Sequence, residues 1–191
     1  MLKRLLLLSA LVGILFHATA QAATVLQLDP LGGAISGLPG STIGWGFSLS
    51  NTENYLVVTS AAFESATTLG TFTDFISASN FFVVGPAPSA STVWAQTFNA
   101  STQTGIGSFT INPGAAPGSV ANGQIVLSYD LFSRSPLDAL FNPDTDTLSN
   151  GNLVTANASV TTVVPLPAAV WLFGSALVGL VGFGRRRQEG G

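Results

Sequence analysis

Residues 42–50 read Thr-Ile-Gly-Trp-Gly-Phe-Ser-Leu-Ser. Ile43, Trp45, Phe47 and Leu49 fall on one side of an extended chain, and Gly44, Gly46, Ser48 and Ser50 fall on the other. A period of two over nine residues fits a strand with one buried face and no other regular structure. Pro39-Gly40 before it and Asn51-Thr52-Glu53-Asn54 behind it are turn formers, which bound the strand at both ends. Further strands are expected at 24–28, 55–63, 80–84, 93–98, 106–111, 124–132 and 154–164, with a short turn of helix within 71–79. The segments between them are rich in Gly, Pro, Asn and Ser, as in Gly85-Pro86-Ala87-Pro88-Ser89 and Asn112-Pro113-Gly114-Ala115-Ala116-Pro117-Gly118. About eight short strands separated by turns predict an all-β domain, an antiparallel β-sandwich of Ig-like or jelly-roll type. The 36 Ser and Thr among residues 24–164 supply the polar faces such strands need.

The two ends have a different character. Lys3 and Arg4 precede a 12-residue stretch, Leu5 to Phe16, broken only by Ser9 and Gly13. Ala18-Thr19-Ala20 and Ala20-Gln21-Ala22 follow, both of the Ala-x-Ala form. Basic start, short apolar stretch and small-residue site together predict a cleaved secretory signal peptide over 1–22, with cleavage after Ala20 or Ala22. At the other end, residues 168–184 carry no charge and include Trp171, and Arg185, Arg186 and Arg187 follow directly. As a helix this stretch spans about 25 Å, slightly less than a hydrocarbon core of about 30 Å. The arginine cluster would stay on the cytoplasmic side and place residues 23–162 outside.

Val164-Pro165-Leu166-Pro167-Ala168 stands just ahead of that stretch. Two prolines at this spacing enforce an extended entry to the helix. This pentapeptide, an apolar helix containing Trp-Leu-Phe-Gly-Ser, and a terminal arginine cluster resemble the PEP-CTERM protein-sorting domain, in its VPLPA-CTERM subtype. The resemblance covers 163–187, leaving 188–191 as a short tail. It implies export by a Gram-negative bacterium and passage through signal peptidase. A single-pass intermediate in the inner membrane would then be handed to an exosortase. The destination it implies is the cell surface or extracellular matrix, with exopolysaccharide or biofilm as the setting. It implies nothing about residues 24–162.

Chemistry in that central segment is limited by what it lacks. The sole histidine, His17, lies in the signal peptide, the chain has no cysteine, and no lysine follows Lys3. Ser-His-Asp, Cys-His and Ser-Lys catalysis are therefore excluded from the exported domain, as are the usual zinc and copper ligand sets. Between 24 and 164 Arg134 stands alone against eight carboxylates, a net charge of −7, which nucleic acid repels. Asp29, Glu53, Glu64, Asp74, Asp130, Asp138, Asp144 and Asp146 retain the potential for paired-carboxylate glycoside hydrolysis, but none lies in a catalytic motif. No catalytic residue is expected. The densest oxygen cluster, Asn142 to Asn152, offers Asp144, Asp146, Asn150 and Asn152 as calcium ligands. It lacks the central Gly and closing Glu of an EF-hand, and turn chemistry explains the same residues without metal. Trp45 shares its face with Ile43 and Phe47 and is expected in the core. Trp94, sharing its face with Gln96 as well as Phe98, is the candidate for an exposed aromatic contact. The expected role is a non-catalytic structural or adhesive domain, with a carbohydrate-binding module as the alternative and a glycosidase behind it.

Overall fold

The computed structural model describes residues 24–79, 82–164, 172–176 and 178. Ten strands run from Val25 to Thr162 and form two five-stranded sheets. The first sheet holds β1 (Val25–Asp29), β3 (Thr42–Ser50), β5 (Gly70–Asp74), β7 (Val93–Gln96) and β8 (Gly107–Ile111). The second holds β2 (Ala34–Gly37), β4 (Tyr55–Ser65), β6 (Val83–Val84), β9 (Val120–Phe132) and β10 (Thr147–Thr162), in the order β2-β10-β9-β4-β6. Two helical turns, α1 (Ile76–Ser79) and α2 (Pro143–Asp146), punctuate them.

The alternation at 42–50 organises the first sheet. β3 is central, with β1 on one edge; on the other, β8 pairs with its first half and β7 with its second. Its apolar face points into the sandwich, where Trp45, Phe47 and Leu49 are at most 2% exposed. The Trp45 ring lies 5.4 Å from Phe63 of β4, 6.2 Å from Phe72 of β5 and 6.4 Å from Phe109 of β8. Phe63 meets Phe109 edge-on at 5.5 Å, so one aromatic cluster joins the two sheets. Leu56, Val58, Ala61, Ile125, Leu127, Ala158 and Val160 extend the core on the side of the second sheet.

β4 shows how this core is kept continuous. Leu56 and Val58 face inward with period two, but so do Ala61 and Phe63, which are out of step with them. The ladder with β9 explains the change: Val58 pairs with Tyr129 and Ser60 with Ser128, leaving Thr59 as an extra residue. Such a bulge reverses the parity of the strand and bends it. β10 carries two further register shifts, between Thr147 and Asn152.

The sandwich is thus as expected, with three corrections. It has ten strands rather than about eight: β2 was not expected, and the segment 71–79 divides into β5 and α1. It is also not wholly antiparallel. β2 runs parallel to β10, with Ala34 opposite Ser159 and Gly37 opposite Thr162, and a parallel bridge joins Val84 to Ser91. The strand expected at 80–84 is reduced to Val83–Val84, while residues 80 and 81 lie outside the described residues. The expected signal peptide lies outside them as well. So does most of the expected span: only 172–176 and 178 are described, as helix with exposed side chains. Among the described residues no helix is long and apolar enough to cross a membrane.

The outer face of β3 imposes its own limit. A Cβ on Gly44 would collide with the Phe98 ring, which covers this glycine and stacks on Phe75 at 6.3 Å. Gly44→Val should therefore cost about 1–3 kcal/mol by overpacking. Trp45→Ala should cost about 3–5 kcal/mol through the cavity it leaves. Urea denaturation followed by far-ultraviolet circular dichroism measures both.

Candidate functional site

Four places in the domain have the polar groups, aromatic surface or position that a function would use. The first is the acidic loop 133–146 with the adjoining start of β10. Asn142 caps α2: its side-chain oxygen accepts from the Asp144 N–H at 3.0 Å, and Pro143 opens the turn. Asp146 reaches back across the loop. One carboxylate oxygen accepts from the Asn142 N–H at 2.8 Å and lies 3.5 Å from Arg134 Nε, and the other accepts from the Ser133 hydroxyl at 3.4 Å. Arg134 also lies 3.7 Å from Asp138. Phe141 rests edge-on against Phe132 at 5.3 Å and pins the loop to the end of β9.

The expected calcium ligands take their places in this network. Asp146 is engaged with Arg134 and the backbone. The Asn152 amide donates to the Tyr129 carbonyl at 3.3 Å and to the Ser149 hydroxyl at 2.8 Å. Asp144 and Asn150 are exposed. Asp130, outside the expected set, accepts from the Gly151 N–H at 2.8 Å. Among the described residues no three carboxylates gather at one point. What the arrangement does chemically is shape a loop: the single cation of the domain holds two acids that would otherwise repel each other.

The second place is Trp94. Its indole stacks on Phe82 at 5.0 Å with the rings 7° apart, and it packs against the core half-buried. One ring face is thus taken by Phe82. Its Nε1–H is buried and has no hydrogen-bond partner among the described residues. Trp94 is a wall of the core at the β7 edge more than a free platform. The Gln96 side chain turns to the backbone, accepting from the Gly105 N–H at 3.1 Å.

The third place is a groove of about 460 Å³ on the first sheet, lined by Gln27 and Asp29 of β1, Ser48 of β3, Ala95 of β7, and Leu31 and Thr97 just past the ends of β1 and β7. The pairing brings these side chains together: Gln27 lies opposite Ser48 and Ser48 opposite Ala95, so small residues floor the groove between polar walls. Sequence reading missed it, since the polar face of 42–50 looks like any solvated strand face. A related polar row crosses the second sheet, where Glu64, Gln124 and Asn157 lie side by side on β4, β9 and β10. A shallow basin of about 490 Å³ opens beside them.

The fourth place is where the chain leaves the sandwich. Thr162 is 1% exposed, and its hydroxyl donates to the Ala116 carbonyl at 2.6 Å. Val163 N–H donates to the Gly37 carbonyl at 2.9 Å. Val164, the first residue of the expected sorting motif, is 64% exposed. Pro165, Leu166, Pro167, Ala168 and the cluster Arg185, Arg186 and Arg187 lie outside the described residues.

No protein-family model matches the chain, and no curated protein does. Among solved structures, the chain is similar to the sixth cohesin of scaffoldin B from Acetivibrio cellulolyticus, solved in complex with a Cel5 dockerin. The identity is 10%, the match covers 74% of this chain and 99% of the cohesin, and the TM-score is 0.27.

The loop network makes a graded expectation. Asp146→Ala removes an acceptor from the Asn142 N–H and should cost about 1–3 kcal/mol. Asp144→Ala, at an exposed position, should stay within about 0.5 kcal/mol. Parallel urea melts of the two variants separate these outcomes.

Proposed function

We propose that the chain is the precursor of an exported envelope or matrix protein. In this reading it is cleaved by signal peptidase, held by its C-terminal apolar helix in the inner membrane of a Gram-negative bacterium, and passed to an exosortase at Val164-Pro165-Leu166-Pro167-Ala168. The β-sandwich is then a non-catalytic structural or adhesive unit at the cell surface, working in an exopolysaccharide or biofilm setting. The observation that carries the reading is the order of parts at the C-terminus. The last strand ends at Thr162, the motif starts two residues later on an exposed Val164, and an uncharged stretch closed by three arginines follows. Pro165 and Pro167 carry no N–H for a sheet ladder or a helix, a composition suited to a motif that a processing enzyme must grip.

A carbohydrate-binding reading rests on the groove between β1 and β7, which offers Gln27, Asp29 and Thr97 as hydrogen-bonding groups beside Leu31. Under it, Asp29→Ala should abolish binding to the host's exopolysaccharide in titration calorimetry while leaving the melting curve in place. Equal heats for the two proteins count against the groove.

Replacing Pro165 and Pro167 by Ala should leave the C-terminus unprocessed in a host with a cognate exosortase. Intact-mass spectrometry reads the result. A tail equally intact with and without the exosortase overturns the sorting reading.

A further inference from the structure

The two ends of the sandwich differ in charge. At the end where β10 stops, the chain is capped by three segments: 37–42 between β2 and β3, 65–70 between β4 and β5, and 112–120 between β8 and β9. Backbone bonds show that they share one pole. Gly40 N–H donates to Ile111 O, Asn112 N–H to Leu69 O, Gly118 N–H to Thr162 O and Val163 N–H to Gly37 O. None of the three segments contains a charged residue. Leu38, Val120 and Val164 are exposed there, at 51%, 42% and 64%, beside the exposed Pro113, Ala116 and Pro117.

The nearest acids stand back from this pole. Glu64 pairs with Gln124, four residues inside the start of β9, and Asp29 pairs with Gly46, four residues inside the start of β3. At about 3.3 Å per residue both lie about 13 Å below the starts of β9 and β3, although Glu64 is exposed and stands one residue before the end of its own strand at Ser65. Asp74, opposite Gly107 and hence level with Trp45, is about 10 Å away. The other acids and Arg134 belong to the opposite end, on the 51–54 turn, the end of β9 and the loop 133–146. Leu137, Leu140 and Leu148 are exposed at that end too, but among Asp130, Asp138, Asp144 and Asp146.

We propose that the uncharged pole rests on the phospholipid surface of the membrane that the tail enters. This rests on the tail reading above. Only residues 163–167 separate the last strand from the apolar stretch that begins at Ala168, so the tether reaches at most about 18 Å even when fully extended. The headgroup layer between hydrocarbon and water takes up about 5–8 Å of that reach. The end of the last strand is therefore kept within about 10–13 Å of the headgroups, and the pole's own chemistry suits contact with them. It brings no charge to desolvate and offers Leu, Val, Pro and Ala to the interface. The acidic pole faces away, where lipid phosphates do not repel it.

The absence of native cysteine makes the test direct. Full-length precursors with Leu38→Cys, Ala116→Cys, Thr145→Cys or Leu172→Cys are labelled with an environment-sensitive fluorophore and reconstituted into phosphatidylglycerol–phosphatidylethanolamine vesicles. Some of the lipid carries a nitroxide quencher near the headgroup. The expected result is loss of emission at Leu38 and Ala116 as well as at Leu172, with none at Thr145. Quenching at Leu172 without quenching at Leu38 and Ala116, or equal quenching at Thr145, overturns the orientation and leaves the tail reading standing. No quenching at Leu172 overturns the tail reading, and the orientation falls with it.

Discussion

The hydrogen bond from Trp45 Nε1 to the Gly33 carbonyl, 2.8 Å long, is the constraint on which the sandwich depends. A fully buried indole brings one polar atom into a dry core, and that atom must be paired. Its partner is the turn between β1 and β2, where the chain passes from one sheet to the other. The same Gly33 carbonyl accepts from the Ser159 N–H at 3.0 Å, so a single oxygen ties β3 of the first sheet to β10 of the second. Gly33 has φ of +68°, and a Cβ there would collide with the Asn157 carbonyl, so only glycine fits. The turn that transfers the chain and the residue that centres the core are thus fixed together.

How much of this the residues announce depends on how local the cause is. β3 is legible because its alternation is complete within nine residues and its turns flank it. β2 is not, because Ala34-Ile-Ser-Gly37 has a single large apolar side chain and gains its place from β10, more than a hundred residues away. β5 hides for a similar reason, with Phe72 the only large apolar side chain in Gly70–Asp74. β4 is legible as a strand but misleading as a pattern, since its bulge at Thr59 shifts the inward face by one residue. The start of β10 hides behind turn-like residues, Ser149-Asn-Gly-Asn152, that the sheet absorbs through its register shifts.

The same distinction governs the candidate sites. Residue types proclaimed what the domain lacks, because no fold can restore a missing histidine, cysteine or lysine. In the loop of Asp144, Asp146, Asn150 and Asn152, residue types do not show that the Asp146 carboxylate is engaged by Arg134, Ser133 and the Asn142 N–H, because those bonds exist only once the loop closes. The environment of Trp94 is set by Phe82, which reaches it from the segment just ahead of β6, twelve residues away and outside any sequence pattern around Trp94. The groove beside β1 was invisible for the opposite reason: its floor is made of small residues whose role appears only when three strands are placed side by side.

The ends of the sandwich also determine how it bears force. Val25 begins β1 opposite Ser50, at the acidic pole, while Thr162 ends β10 at the uncharged one. A pull between them runs along the strands instead of across them. The β1–β3 and β2–β10 ladders would then be strained in shear, with many hydrogen bonds sharing the load, rather than peeled apart one bond at a time. A unit held at one end and tugged at the other is, by this topology, loaded in its stronger direction.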